Sequence, residues 1–576
     1  MQRTLTVCLS LLMVACGADT VTHDAPAQPA AVAERVFVNG QIYSHAVSTR
    51  TAQAMAVADG HFIAVGDNNA INALIGPATK VVDLAGAAVF PGLIDAHAHP
   101  FQGAEKTLYQ CNFPFSATPE EVAQAIKACA DDPNVPEWIR GGQWNSDFFV
   151  NNKIDSPREF LDAVSDGHPV FLEDDSAHHA WVNSRALELA GITADTPDPD
   201  GGVFVRDSTG MPNGVLLENA GRIVYQLVEE YSHEQNVATI VKASEIANGF
   251  GVTAFGEART PEVILAAYQE ADNAGLFNVH ALLYQQSFFG DSLALESVDA
   301  FDSRAAKYAS KNTDAKAIKF FLDGVPTASR SALMLAPYTK DPMHPHDTMG
   351  MQMIPTDQLD AAVMAFDKAN YRIKIHTAGD GSVRLALNAI EKARVANGVG
   401  HPVSLAHAGY ISEEDLPRFK ALNVAADFSP YLWYPRPIID SVLQAVGPRG
   451  DFYWPTRDVM ESGALITGGS DWPAAAADMN PWPAIEALVT RRNPITNGEA
   501  SFWPEQAVSL DQALTLWTRD AAFVLGLSDV TGAIEPGFSA DFLILPSDPH
   551  AIAIEAVSEV LPTETWFAGR RVWPAQ

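Results

Sequence analysis

Positive charge is scarce in this chain. Lys and Arg number 37 against 70 Asp and Glu over 576 residues, a formal net charge of −33 at pH 7. No basic cluster offsets the deficit, so the surface repels phosphate backbones and nucleic acid is not an expected partner. Cysteine is scarcer: Cys8, Cys16, Cys111 and Cys129 are the four, and no spacing among them suggests a cysteine metal site. The apolar run near the N terminus, residues 5–14, is too short to span a bilayer. What is present is 47% hydrophobic and 19% charged residues, the composition of a globular protein with a large core.

Residues 1–15 carry Arg3, that apolar run and small Ala15, the layout of a secretory signal. Met13-Val14-Ala15-Cys16-Gly17 resembles a bacterial lipobox, with Met13 where Leu is usual. In that reading Cys16 is the lipidated first residue of an exported, periplasmic lipoprotein of a Gram-negative bacterium, and the lipid is its only membrane contact. Otherwise Cys16 is an ordinary thiol beside a conventional cleavage site. Cys8 leaves with the signal, and Cys111 and Cys129 either form a bridge, which an oxidising compartment permits, or stay as two buried thiols. Residues 16–33, rich in Ala, Pro, Thr and Asp, read as a flexible tether.

From Glu34 short β-rich stretches follow, with Asp59-Gly60 as a hairpin turn. Residues 540–545 and 565–572 repeat the style, so segments 34–87 and 531–576 are expected to build one flanking β-sandwich. Between them, residues 88–530 alternate apolar strands with helical patterns, the signature of parallel βα units. Strands are expected at 89–96, 252–257, 279–285, 317–323, 371–376, 403–407, 424–428 and 464–468, and helices include 261–274, 357–370, 383–396 and 413–423, the last capped by Ser412. Eight such strands favour an α/β fold closed as a (β/α)8 TIM barrel. The stretch of about 130 residues between the first two strands exceeds any ordinary loop. It is expected to form a subdomain, about 105–235, over the barrel mouth, with Thr118-Pro119-Glu120-Glu121 opening a helix.

Barrels of this kind place their active groups at the C-terminal ends of the strands. That rule selects His97 and His99 after the first strand, Lys319 within the fourth, His376 after the fifth, His407 after the sixth and Asp471 after the eighth. Alternation along a strand puts His97 and His99 on one side, where two imidazole nitrogens can converge on a cation. A lysine in an apolar run is costly unless its charge is removed or paired. Carboxylation of Lys319 would give an anionic oxygen ligand able to bridge two cations. Pairing with a carboxylate is the plain alternative, as core packing is for His376 and His407 and helix capping for Asp471. Glu257 and Asp323, at the ends of strands two and four, either orient a ligand or pair with a neighbouring base. Tyr431, Trp433, Tyr434 and Trp472 either line the mouth for an apolar substituent or pack beneath the insertion.

The stretches PGLIDAHAHP, HHAWVNSRALELAGI from His178, IKFFLDG, IHTAGDGSVRLALNAIE, LAHAGYISEEDLPRF and GGSDWP, in this order, resemble the amidohydrolase superfamily. The branch is that of the N-substituted formamide deformylases, of amidohydrolase family 3 type, and the likeness runs across residues 34–574. It implies a metal centre ligated by His97, His99, His376 and His407, with Lys319 as carboxylated bridge and Asp471 as ligand and general base. Zinc suits the donor set best, as one or two ions, although other first-row metals bind the same groups. His178 recurs in the family segment, so it is either a substrate-binding or oxyanion-stabilising group reaching over the mouth or a structural histidine. Gly381-Ser382 stands where relatives carry Arg-Ala, and Gly409-Tyr410 where they carry Gln, which bears on substrate identity.

The expected activity is hydrolysis of a C–N bond in a small-molecule amide, linear, N-acyl or N-formyl, by a metal-dependent hydrolase, with homo-oligomerisation left open. A dipeptidase or cyclic-amide hydrolase of the same fold is the alternative enzyme. A non-catalytic, metal-bound solute-binding lipoprotein is the alternative from another class.

Overall fold

The computed structural model describes residues 32–574 apart from 115, 133–136, 146–147, 175–177, 288–295, 341–345, 434–436, 475 and 497. The expected secretory signal, the expected lipid site at Cys16, most of the expected tether and Tyr434 lie outside the described residues. Among the described residues no helix is long and apolar enough to cross a membrane.

Eight parallel strands form one sheet in sequence order: Leu93–Ala98, Val252–Thr260, His280–Gln286, Thr313–Phe321, Arg372–Thr377, Val403–His407, Val424–Phe428 and Leu465–Gly468. Their outward faces are apolar. Ile318, Phe320, Ile373, Ile375 and Leu405 share a core with Val363 and Phe366 of the helix Thr356–Lys368 and Leu387 and Ile390 of the helix Asp380–Asn397. Period-two alternation then gives Lys319, Lys374 and His376 to the opposite, inward face. The barrel closes where its last and first strands meet: the Asp471 amide donates to the His97 carbonyl at 2.8 Å and the His99 amide to the Trp472 carbonyl at 2.7 Å. The segment carrying Asp471 is therefore itself the seam.

The first strand corrects the expected span 89–96. The chain divides at Pro91-Gly92, so that Ala88–Pro91 belongs to a flanking sheet and Leu93–Ala98 to the barrel. Pro91 has no N–H to continue a ladder, and a Cβ at residue 92 would lie 2.0 Å from the Thr253 hydroxyl, so only glycine lets the chain cross there. The helix expected at 413–423 is also shorter, Leu416–Ala421. Pro417 in its first turn sets the start, and the Ser412 hydroxyl donates to Asp415 at 2.8 Å instead of capping.

Both chain ends build the sandwich. Arg35–Val38, Ala54–Ala58, His61–Gly66 and Lys80–Asp83 form one sheet, and Gln41–Ile42, Ala88–Pro91, Phe542–Leu545, Glu564–Phe567 and Arg570–Trp573 the other. Phe37 fills the space between them, edge-on to Phe542 and Trp566 with centroids 5.0 Å away in each case. Asp59 and Gly60 have φ of 49° and 78°, as a tight hairpin requires.

The insertion is a six-stranded sheet of Cys111–Asn112, Ile139–Trp144, Val170–Asp174, His179–Val182, Gly202–Arg206 and Pro212–Glu218. Its strands alternate between two cores: Leu172 and Trp181 enter one with Val122 and Ile126, while Phe171, Ala180 and Val182 enter the other with Leu187 and Phe204. The helix Pro119–Ala130 starts with a reciprocal capping box between Thr118 and Glu121. Cys111 and Cys129 form a disulfide that ties this helix to the first insertion strand across 18 residues. Closing a loop of that size stabilises by about 3 kcal/mol in the chain-entropy account. Reduction, or serine at both positions, is expected to bring an earlier melting transition in the fluorescence of Trp144 and Trp181, and an unchanged profile would show the bridge contributes nothing.

Candidate metal centre

His97 lies in the first barrel strand and His99 is the N-cap of the helix Pro100–Tyr109. Their Nε2 atoms stand 3.4 and 3.6 Å from Asp471 Oδ1, and ligand atoms of the three residues all fall within 4.8 Å of one another. Asp471 takes φ of 57°, a conformation the barrel seam and the Ser470 amide, bound to Asp95 at 3.0 Å, hold in place. Lys319 is 1% exposed, with Nζ 3.2 Å from His97 Nε2 and no carboxylate within ion-pair distance among the described residues. Burial, and next the charge of Lys374, push its amine down to about 7.

His407 and His376 stand beside this trio, outside the group whose ligand atoms all lie within 4.8 Å of one another. The His407 ring lies 5.1 Å from that of His97 and 4.7 Å from that of His376, and its Nδ1 is 3.9 Å from Asp471 Oδ2. His376 donates from Nε2 to the Gly324 carbonyl at 3.0 Å. Burial holds His97, His99, His376 and His407 below the usual histidine range, which leaves them neutral. Among the described residues the buried Nδ1 atoms of His99 and His407 have no hydrogen-bond partner. An unpaired buried ring nitrogen is costly, and a divalent cation beside Asp471 would give the Nδ1 of His407 a partner. Four neutral imidazoles, a carboxylate and an amine are a nitrogen and oxygen donor set that fits a first-row divalent metal.

Two residues of this site escaped the reading of the sequence. Asp427, on the seventh strand, accepts from His97 Nδ1 at 3.0 Å, from Thr467 at 3.2 Å and from the Lys374 ammonium. With Nδ1–H committed to Asp427, His97 has only Nε2 to offer as a ligand nitrogen. Lys374 also donates to the Ala96 carbonyl at 3.0 Å. The signal was present: each is a charged residue inside an apolar strand, the anomaly that singles out Lys319.

Other residues act as ties. Glu257 accepts from the Phe101 amide and the Tyr268 hydroxyl, both at 3.0 Å, stands 3.8 Å from His99 Nδ1, and is pushed up to about 8 by burial. Asp323 accepts from the amides of Leu333, Ala378 and Gly379 and from the Ser382 hydroxyl at 2.7 Å, and so binds the loop after strand four to the start of the helix after strand five. Ser382 thus serves that clamp, and Tyr410 stacks on Tyr453 with centroids 4.6 Å apart. Trp433 packs against Trp454 and beneath the Arg491 guanidinium, and Trp472 closes onto Gly103, where a Cβ would meet its ring at 2.4 Å. Packing describes both tryptophans.

His178 comes from the insertion, yet its ring lies 5.2 Å from that of His376. Its Nδ1 is 2.9 Å from Glu218 Oε2; burial opposes a charge on the ring, but the carboxylate outweighs it and raises the imidazole's pKa.

A closed barrel with this cluster at the C-terminal ends of its strands defines a class, the metal-dependent hydrolases of (β/α)8 architecture. The chain belongs to the amidohydrolase family, which it matches over residues 80–573. It is 28% identical to Protein LONG AFTER FAR-RED 3 of Arabidopsis thaliana, over 94% of this chain and 92% of that protein. It is 26% identical to an N-substituted formamide deformylase of Arthrobacter pascens, over 93% and 97% respectively. A metal-dependent hydrolase from Pyrococcus horikoshii OT3, itself uncharacterized, shares the fold with a TM-score of 0.71 at 22% identity, covering 90% of this chain and 99% of that one.

Proposed function

We propose that the protein hydrolyses the C–N bond of a linear amide, an N-acyl or N-formyl compound. The observation that carries the reading is the convergence of His97, His99 and Asp471, with Lys319 beside them. One or two divalent cations, zinc by preference, would be held by His97, His99, His376, His407, Asp471 and a carboxylated Lys319. When bound, such an ion supplies the Lewis acidity that makes water nucleophilic near neutral pH and polarises the scissile carbonyl. Carboxylation adds CO2 to the neutral Lys319 amine and releases one proton, which the depressed basicity of that amine favours. Asp471, facing the imidazoles of His97 and His99, accepts the proton of the attacking water and returns it to the leaving nitrogen. His178 donates to the carbonyl oxygen as it gains charge.

Metal analysis and product detection on one panel test this: N-formyl amines, N-acyl amino acids, dipeptides and cyclic imides. Turnover of linear amides with bound metal is expected. Turnover confined to dipeptides or cyclic imides would replace the substrate assignment, and metal with tight binding but no product would favour solute capture.

Export with a lipid anchor at Cys16 belongs to the same proposal. The Cys111–Cys129 bridge supports it, because such bonds persist in oxidising compartments.

A further inference from the structure

We propose that Glu218 is a positioning residue for the hydrolysis, the carboxylate through which the insertion aims His178 at the barrel mouth. The proposal rests on the hydrolase reading above.

Glu218 ends the last insertion strand, Pro212–Glu218, and is side-chain buried. Its backbone amide donates to the His178 carbonyl at 3.1 Å, so the two residues are already coupled through the main chain. Its Oε2 receives His178 Nδ1–H at 2.9 Å, and its Oε1 receives the Ser331 hydroxyl at 2.7 Å. Ser331 belongs to the barrel, in the loop after the strand that carries Lys319. One carboxylate therefore spans the insertion and the barrel.

That bridge needs close approach. A Cβ on Gly324 would stand 2.4 Å from Glu218 Oε1 and 2.2 Å from the Ser331 hydroxyl, so the site requires glycine there. The carbonyl of this same glycine accepts from His376 Nε2. Glu218 thus abuts the backbone that orients one imidazole of the cluster while gripping another imidazole directly. On its other side the His178 backbone is anchored as well, with its amide bound to Asp174 Oδ1 at 3.1 Å. Glu218 also has φ of 49°, outside the ordinary range for a residue with a side chain. Conformations of that kind persist where surrounding contacts over-determine them, and they cluster at functional sites.

The chemical consequence is specific. With Nδ1–H committed to Glu218, any proton His178 presents to a substrate comes from Nε2, and a carboxylate behind the ring stabilises the positive charge that such donation draws on. A simple strut between insertion and barrel would need only hydrogen bonds. A positioning carboxylate needs its charge.

Steady-state kinetics of the zinc-loaded full protein separate the two, using a linear amide turned over by the wild type. Glu218→Gln keeps the size and an acceptor oxygen but loses the charge. It is expected to lower kcat about 100-fold, the low end of what loss of an oxyanion donor costs, with KM nearly unchanged and zinc content intact. His178→Ala should lower kcat at least as far, and the double variant no further than His178→Ala alone. Glu218→Asp, which retains the charge at a shorter reach, should recover part of the lost kcat and serves if Glu218→Gln folds poorly. An unchanged kcat, a change in KM alone, or fully additive losses in the double variant would overturn the assignment. A second readout is independent of turnover: the zinc-loaded wild type should show a far-downfield imidazole N–H proton signal that His178→Ala removes and Glu218→Gln shifts upfield. If the wild type hydrolyses nothing in the panel, the functional reading fails by itself, and the absence of that signal would separately refute the pairing.

Discussion

Replacing Asp471 by asparagine is expected to reduce kcat about 10³-fold while zinc stoichiometry stays near that of the wild type. The magnitude is that of losing a positioned general acid–base group, about 10²–10⁴. Asparagine is the informative choice for a backbone reason: Asp471 has φ of 57°, and Asn tolerates this region better than other uncharged residues of similar size. The hydrogen bond from the residue 471 amide to the His97 carbonyl uses the main chain, so the barrel seam should survive. What disappears is an oxygen able to hold a proton between His97 and His99. Activity within tenfold of the wild type, with metal bound, would remove Asp471 as the base.

The second large effect concerns stability. Asp427→Ala leaves the Lys374 ammonium and His97 Nδ1–H without their carboxylate in a region of zero exposure. Breaking a buried pair in this way costs about 3–5 kcal/mol, mostly from the stranded charge. Adding Lys374→Met removes that charge, so the double variant should regain much of the loss in a denaturant titration. Metal affinity should not recover with it. Both variants lack the partner that orients His97, and such losses weaken binding about 10- to 100-fold. A double variant as unstable as the single one would contradict this account of Lys374, and zinc affinity equal to the wild type would contradict that of Asp427.

The barrel was legible in the sequence because its signal is local. Strands such as Ile318-Lys319-Phe320 and Ile373-Lys374-Ile375-His376 alternate so plainly that both the strand and the odd polar member stand out. The boundary at Pro91-Gly92 was harder, since an unbroken apolar run conceals that its two halves serve different sheets. The start of the helix at Leu416 was overrun because the acidic stretch 413–415 fits a first turn as well as it fits the preceding bend. For Trp433 and Trp472, sequence could not choose between lining and packing, because an aromatic residue looks the same in either place.

By itself the sequence determined which donors exist and at which strand ends they stand, since periodicity, turn chemistry and apolar patterning act over a few residues. Only the tertiary structure decided their partners. Asp427 reaches His97 across 330 positions of chain, and Glu218 reaches Ser331 across 113. Such distances are set by barrel closure and by the seating of the insertion, and hydrogen bonds that depend on a few tenths of an ångström between remote backbones leave no periodic trace along the chain.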